Sequence, residues 1–297
     1  MMLGKLITLW VQVRDLYLYL FRNAVIVNGY VDDHTWRGIR HRNWGDDLNF
    51  YFLRELTGRP VVFYHNFRMA HWLHLTNYLC IGTLLDAVNY SNRQTIVWGA
   101  GVSGQERDFV HPRRICSVRG PRTQEFAERY GVVCPEIYGD PAMLLPLVYK
   151  PEVRKTYKWG IIPHVVDLHH PVVEDIRYNH PEVLIIDLAH YNHWTDVIDK
   201  ICSCEKIASS SLHGLIVSDA YGVPNSWVEL SGKISGGYFK FRDYGVSVGR
   251  MMTDPLRLTS FEDIVQLHPD ASSSPSLVNI DELLKACPLP VRKRYRL

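Results

Sequence analysis

The chain of 297 residues has six cysteines, Cys80, Cys116, Cys134, Cys202, Cys204 and Cys287, and none forms a Cys-x-x-Cys pair. A structural zinc site is therefore not expected, and a reduced, cytoplasmic setting is. Charge of one sign is also missing. Lys plus Arg number 33 against 31 Asp plus Glu, a formal net charge of +2, which argues against a broad nucleic-acid-binding surface. No long apolar run occurs. The first, residues 6–13, is followed by Arg14, Asp15 and Arg22 within a helical pattern, so neither a signal peptide nor a membrane span is expected. There is no internal repeat and no low-complexity tract.

What is present is the alternation of a layered α/β protein. Short β-rich runs fall at 24–27, 60–64, 78–81, 95–98, 115–118 and 136–138. Helical patterns at 48–56, 122–130 and 142–145 separate several of them. After a stretch at 146–156 with two prolines and several charges, a second series follows at 157–162, 183–187, 206–208 and 226–230, with a helix over 194–202. This predicts two mostly parallel sheets flanked by helices, with lobes 1–148 and 149–297. A helix over 280–286 could pack on either lobe, and 271–276 reads as a loop.

The most informative junction lies at Ser209-Ser210-Ser211-Leu212-His213-Gly214. A buried strand precedes it, and an apolar helix follows, stopped by Gly222 and Pro224. Such a helix start offers backbone N–H groups and the positive dipole end to an anion. His213 adds a group that titrates near neutral pH; the plainer reading is a histidine that helps to cap the helix.

In doubly wound sheets ligands bind beyond the carboxyl ends of the strands, so the other loops there deserve the same reading. In Asn43-Trp44-Gly45-Asp46-Asp47, Asp46 makes a good helix cap, or else Asp46 or Asp47 bonds a sugar hydroxyl or takes its proton. Gly99 and Gly101 would let a backbone approach a ligand closely, although no third glycine completes a dinucleotide fingerprint. Arg119 offers a planar fork to a carboxylate or phosphate, or pairs with a nearby acid such as Glu125. The histidines between His164 and His193 do not have metal-ligand spacing.

Taken in order, Asn43-Trp44-Gly45-Asp46, Trp98-Gly99-Ala100-Gly101, Val118-Arg119-Gly120-Pro121-Arg122-Thr123, Gly139-Asp140-Pro141-Ala142, Ile162-Pro163-His164 and Ser210-Ser211-Leu212-His213-Gly214 resemble the polysaccharide pyruvyltransferase family, over about residues 43–249. The resemblance implies a GT-B-like fold of two Rossmann-type lobes around a cleft. It also implies transfer of pyruvate from phosphoenolpyruvate to a sugar of a surface polysaccharide or its polyprenyl-linked precursor, as a ketal; no metal or cofactor is expected, since arginine, lysine and the helix dipole can compensate the charge. By motif match, Arg119 and His213 contact the donor. Many members carry arginine directly before Leu-His. Here Ser211 stands there, and Lys240 or Arg242 is expected to supply the missing charge.

On this reading His213 acts as general acid or as a hydrogen-bond donor to the phosphate oxygen, Arg119 holds the donor, and Asp46 orients the acceptor or takes its proton. Ser210, Ser211, Leu212 and Gly214 cradle the phosphate with help from His164, Lys240 or Arg242. Asn43, Gly45, Asp47, Gly99 and Gly101 face the acceptor. One rival is a glycosyltransferase of the same architecture using a nucleotide-sugar, with Glu229 on its ribose. Another is a degenerate glycan-binding member.

The termini add a further signal. Leu3, Leu6, Ile7, Trp10, Val13, Tyr17 and Leu20 form an apolar helical face, and Arg292-Lys293-Arg294-Tyr295-Arg296 is basic. The plain reading is a helix docked on its own domain and a solvated tail. The sharper one is peripheral contact with an anionic membrane face, the inner face for a cytoplasmic protein.

Overall fold

The computed structural model describes residues 2–36, 38–87, 89–105, 109–234, 237–269 and 275–296. Two five-stranded sheets form, each entirely parallel. The first has the order β2-β1-β3-β4-β5, built from β1 (Val25–Asn28), β2 (Val61–Phe63), β3 (Asn77–Leu79), β4 (Thr95–Trp98) and β5 (Arg114–Ser117). The second has the order β10-β9-β8-β6-β7, from β6 (Tyr157–Ile162), β7 (Val183–Ile185), β8 (Cys204–Ser209), β9 (Asn225–Glu229) and β10 (Leu256–Arg257). The central strands are apolar on both faces because helices cover both sides; all four residues of β1 are buried.

The α-helices are α1 (Met2–Arg22), α2 (Trp44–Thr57), α3 (Arg68–Trp72), α4 (Pro121–Arg129), α5 (Leu145–Val148), α6 (Pro171–Asn179), α7 (Trp194–Cys202), α8 (Leu212–Ala220), α9 (Phe239–Ser247), α10 (Phe261–Val265) and α11 (Ile280–Lys285). Among the described residues none is long and apolar enough to cross a membrane.

The two sheets share a core. Trp44, Leu48 and Phe52 of α2 lie in one buried cluster with Trp194 and Val197 of α7 and with Leu212, Leu215 and Ile216 of α8. Trp44 is fully buried, and its indole N–H donates to Trp194 O at 2.8 Å. That bond fixes the start of α2, which belongs to the first half, on the second half. The C-terminal segment turns the other way. The Trp98 indole donates to Leu283 O at 2.8 Å, and the Arg292 N–H donates to Leu56 O at 2.9 Å, so residues 283–292 pack on the first sheet's elements.

Several expectations shift. The strand expected at 136–138 is a single bridge, Val118 to Tyr138. The 142–145 turn is a 3₁₀ helix, Pro141–Leu144, continued by α5. Helix α2 begins at Trp44 rather than 48, and its cap is Asn43, whose side chain accepts the Gly45 N–H; Asp46 is not the cap. Helix α8 starts at Leu212, with Ser211 as cap residue, so His213 sits in its first turn. Helices α3, α6, α9 and α10 and the edge strand β10 were not anticipated. Of the loop expected at 271–276, residues 271–274 lie outside those described.

Candidate functional site

The carboxyl ends of both sheets open on one cavity of about 550 Å³. From the first half it takes Tyr30, Arg42, Asn43, Asp46, Thr83, Asp86 and Ser103, and from the second His164, Ser211, Leu212, His213 and Lys240. Seven residues singled out from sequence therefore meet there: Asn43, Asp46, His164, Ser211, Leu212, His213 and Lys240.

The α8 junction folds as a strand end should. Ser209 Oγ accepts the Ser211 N–H at 3.0 Å and bonds Ser211 O at 2.9 Å, which closes the turn before the helix. Ser210 Oγ accepts the His164 N–H at 2.8 Å and so joins the loops after β6 and β8. Ser210 and Gly214 do not line the cavity. Gly214 lets α8 rest on β8, because a Cβ there would meet Ser209 Oγ at 2.2 Å. The Ser211 side chain makes no capping bond. The first N–H groups of α8 lack intrahelical acceptors, and Ser211, Leu212 and His213 bring that helix start to the cavity wall.

His213 is buried, and its ring presses on the start of α2. A Cβ on Gly45 would lie 2.0 Å from His213 Nδ1. Gly45 thus makes room for the imidazole instead of facing an acceptor. His213 Nε2 lies 3.8 Å from Asp140 Oδ2, and neither atom has a hydrogen-bond partner. The other carboxylate oxygen of Asp140 accepts the Ala142 N–H at 2.9 Å. Burial, then the charges of Arg119, Lys240 and His164, push the His213 imidazole down to about 3. The expectation of a histidine titrating near neutral is thereby corrected: burial and the neighbouring cations favour the neutral ring. The groups that titrate near neutral are carboxyls. Burial raises Asp140 to about 7, and burial together with the Asp47 charge raises Asp46 to about 7. Burial and Lys240 lower His164 to about 4. Burial and Arg119 lower Lys240 to about 8.

Other residues are placed differently from expectation. Arg119 is fully buried and does not line the cavity. Its Nε donates to Asp243 Oδ2 at 3.0 Å, Nη1 to Thr83 Oγ1 at 2.7 Å and Nη2 to Val102 O at 3.1 Å. Asp243 belongs to α9, and its carboxylate also accepts the Thr123 N–H and hydroxyl at 3.0 and 2.7 Å. The fork is thus closed by an acid far along the chain, neither by a ligand nor by Glu125. Gly101 admits that fork, since a Cβ there would sit 2.3 Å from the guanidinium carbon. Gly99, at φ +82°, turns against Pro141 and Gly139. Both glycines therefore serve internal packing. Asp47 accepts the Tyr191 hydroxyl at 2.7 Å and faces away from the cavity wall. Arg242 reaches Thr253 O at 2.7 Å and Asp254 Oδ1 at 3.1 Å, outside the cavity. Of the two cations weighed for the place before Leu212-His213, Lys240 is the one on the wall.

Sequence reading missed Arg42, Thr83, Asp86 and Ser103 as wall residues, and Asp140 as the partner facing His213. Asp86 accepts the Ser103 N–H and, at 2.6 Å, its hydroxyl, which stiffens one side of the opening. Only Asp140 carried a signal, its place in the Gly139-Asp140-Pro141 loop. Among the described residues no three His, Cys, Asp or Glu side chains gather as a metal site.

Comparison with known proteins bears on the family of the chain. A profile of the polysaccharide pyruvyl transferase family matches residues 71–231. The succinoglycan biosynthesis protein ExoV of Rhizobium meliloti strain 1021 is 31% identical over 223 residues, 71% of this chain and 63% of that protein, so the match spans less than two thirds of ExoV. An uncharacterized protein of Acanthamoeba polyphaga mimivirus is 29% identical over 210 residues, 69% of this chain and 71% of that protein.

Proposed function

Because the chain belongs to the polysaccharide pyruvyl transferase family, we propose that it moves the pyruvyl group of phosphoenolpyruvate onto two hydroxyls of one sugar in a surface polysaccharide or its lipid-linked precursor. The observation that carries this reading is the single cavity that joins an anion-binding helix start, Lys240 and His213 on one wall to Asp46 and Asn43 on the other.

The chemistry has defined demands. The methylene carbon of the enol phosphate takes a proton and becomes a methyl group. A sugar hydroxyl oxygen bonds to C2, the C2–O bond to phosphate breaks, and the second hydroxyl closes the ketal. The two hydroxyl protons balance the methyl proton and the one carried off by phosphate. The donor carboxylate and phosphate fit the α8 N–H groups, Ser211, His164 and the Lys240 ammonium. Their negative charge favours the protonated imidazole and so opposes the burial that keeps His213 neutral. Asp140 lies where it can hand its proton to Nε2 and stabilise the cation, leaving Nδ1–H as the acid toward substrate. Asp46, raised to about 7, is matched to accept a proton from the sugar hydroxyl near neutral pH. Arg119 acts from behind the wall, holding α9 and hence Lys240. The rival reading with a nucleotide-sugar draws less from the site: Glu229, its ribose contact, accepts the Tyr238 hydroxyl at 2.6 Å and does not line the cavity.

The test is mass spectrometry of oligosaccharide acceptors incubated with the protein and phosphoenolpyruvate. The expected product carries the mass increment of a pyruvate ketal, with one phosphate released per ketal. Sugar transfer from a nucleotide-sugar, with no response to phosphoenolpyruvate, would refute the reading.

A further inference from the structure

Helix α1 lies on the outside of the molecule. Its inner side is anchored: Val11 and Asp15 are buried, Arg14 pairs with Asp15 at 2.8 Å and with Asp33 at 3.1 Å, and Leu16, Leu18 and Tyr19 pack on the cluster around Phe67. Its outer side is apolar. Leu3, Leu6, Trp10, Val13, Tyr17 and Leu20 recur at three- and four-residue steps and are each 42–63% exposed. Leu9 and Phe21 widen this stripe and are more than 60% exposed. A contiguous apolar face of this kind marks an interaction surface.

A second feature adjoins it. Where α1 ends, a shallow pocket of about 360 Å³ is lined by Leu18, Arg22, Arg54, Glu55, Arg59 and Arg292. Arg292 and Arg294 approach Glu55 at 3.7 and 3.9 Å. Four arginines therefore line this pocket beside Glu55, and a fifth, Arg294, reaches the same carboxylate. The whole chain is nearly neutral at +2, so this concentration is local to the end of α1.

We propose that the outer face of α1 and this arginine cluster dock on an anionic phospholipid bilayer. The helix lies in the interface plane with its aromatic and leucine side chains in the acyl boundary, and the arginines meet lipid phosphates. The three- and four-residue steps also describe a coiled-coil seam, for which the occupant would be a second copy. The flanks favour lipid. Coiled-coil seams are bordered by charged pairs, whereas this stripe is bordered by Leu9 and Phe21, and parallel pairing of two copies would bring like arginine clusters together. The docking stands on α1 and the arginines alone. One consequence rests on the proposed transfer reaction: Trp10 donates to Trp36 O at 3.0 Å, in the segment that leads to Arg42 and Asn43 of the cavity wall, so docking would bring the cavity near a lipid-borne acceptor.

The experiment is vesicle flotation of the full chain with phosphatidylcholine alone and with phosphatidylcholine containing phosphatidylglycerol, beside sedimentation velocity without lipid. Variants are Leu6→Ser with Leu20→Ser, and Arg22→Gln with Arg59→Gln, each checked for parental thermal unfolding. Expected are binding to phosphatidylglycerol vesicles, weakening with salt, loss of binding in the serine variant, and partitioning lowered about fivefold per arginine charge removed. Absence of binding to phosphatidylglycerol vesicles, or equal binding by parent and variants, overturns the proposal. So does a dimer that the serine variant dissociates while vesicles capture nothing.

Discussion

Two buried polar atoms, His213 Nε2 and Asp140 Oδ2, face one another at 3.8 Å without partners. Such atoms are costly to leave unpaired, and a proton moving between them would convert the separation into a charge-assisted hydrogen bond. Asp140 is a positioning residue for His213 on this account. Its titration has a testable consequence. The carboxyl holds its proton to about 7 in the folded chain, against 3.8 ordinarily. The unfolded state therefore loses that proton first, and the parent loses stability as pH rises through this window. Asp140→Asn keeps a capping acceptor for Ala142 and removes the titration. Relative to the parent it should gain stability between pH 4 and 7, by up to about 4 kcal/mol, in urea titrations at several pH values. It should also lose about 10²-fold or more in kcat, with a smaller change in donor KM. A stability difference flat with pH would contradict this assignment. The histidine itself was legible from sequence. Its low affinity for a proton was not, because that comes from burial, against Gly45 among others, and from the charges of Arg119, Lys240 and His164.

At the scale of elements, α9 decides which cation serves the site. Lys240 and Arg242 are two residues apart, and on a helix such a pair points to different faces. With no element assigned to 237–244 from sequence, both stayed open; the helix Phe239–Ser247 aims Lys240 at the cavity and Arg242 at Asp254. The helix was hard to foresee because its sequence alternates, Phe-Lys-Phe-Arg-Asp-Tyr, without a helical period. Asp243, on the same helix, is clamped by Arg119 and Thr123 from the first half. No local signal joins residues 124 positions apart. This clamp is an ion pair with both side chains fully buried, and removing one partner of such a pair typically costs about 3–5 kcal/mol. Arg119→Ala is expected to lose that much in denaturant unfolding. A loss below about 1 kcal/mol would show that α9 is held by other contacts. The strands were the most legible elements, since the β-branched run at 95–98 and the aromatic and isoleucine run at 157–162 have the bounds observed. The two-residue strand β10 has no period to read.

Across the whole molecule, the alternation of strands and helices was enough to anticipate two parallel sheets, and the loop order was enough to anticipate the family. The shared wall was legible only in part. His164, Ser211 and His213 stand at strand ends where ligands bind in such sheets, whereas Thr83, Asp86 and Ser103 reach the cavity through loops with no distinguishing composition. Pyruvyl transfer at this wall requires that the cavity take the anionic donor through Lys240 and the start of α8. Thermal unfolding with and without phosphoenolpyruvate, on the parent, Lys240→Ala and Arg242→Ala, tests it most directly, because a ligand that binds the folded state raises its melting temperature. A concentration-dependent rise is expected for the parent and for Arg242→Ala, and no rise for Lys240→Ala. A rise that survives in Lys240→Ala, or the lack of any rise in the parent, would contradict it.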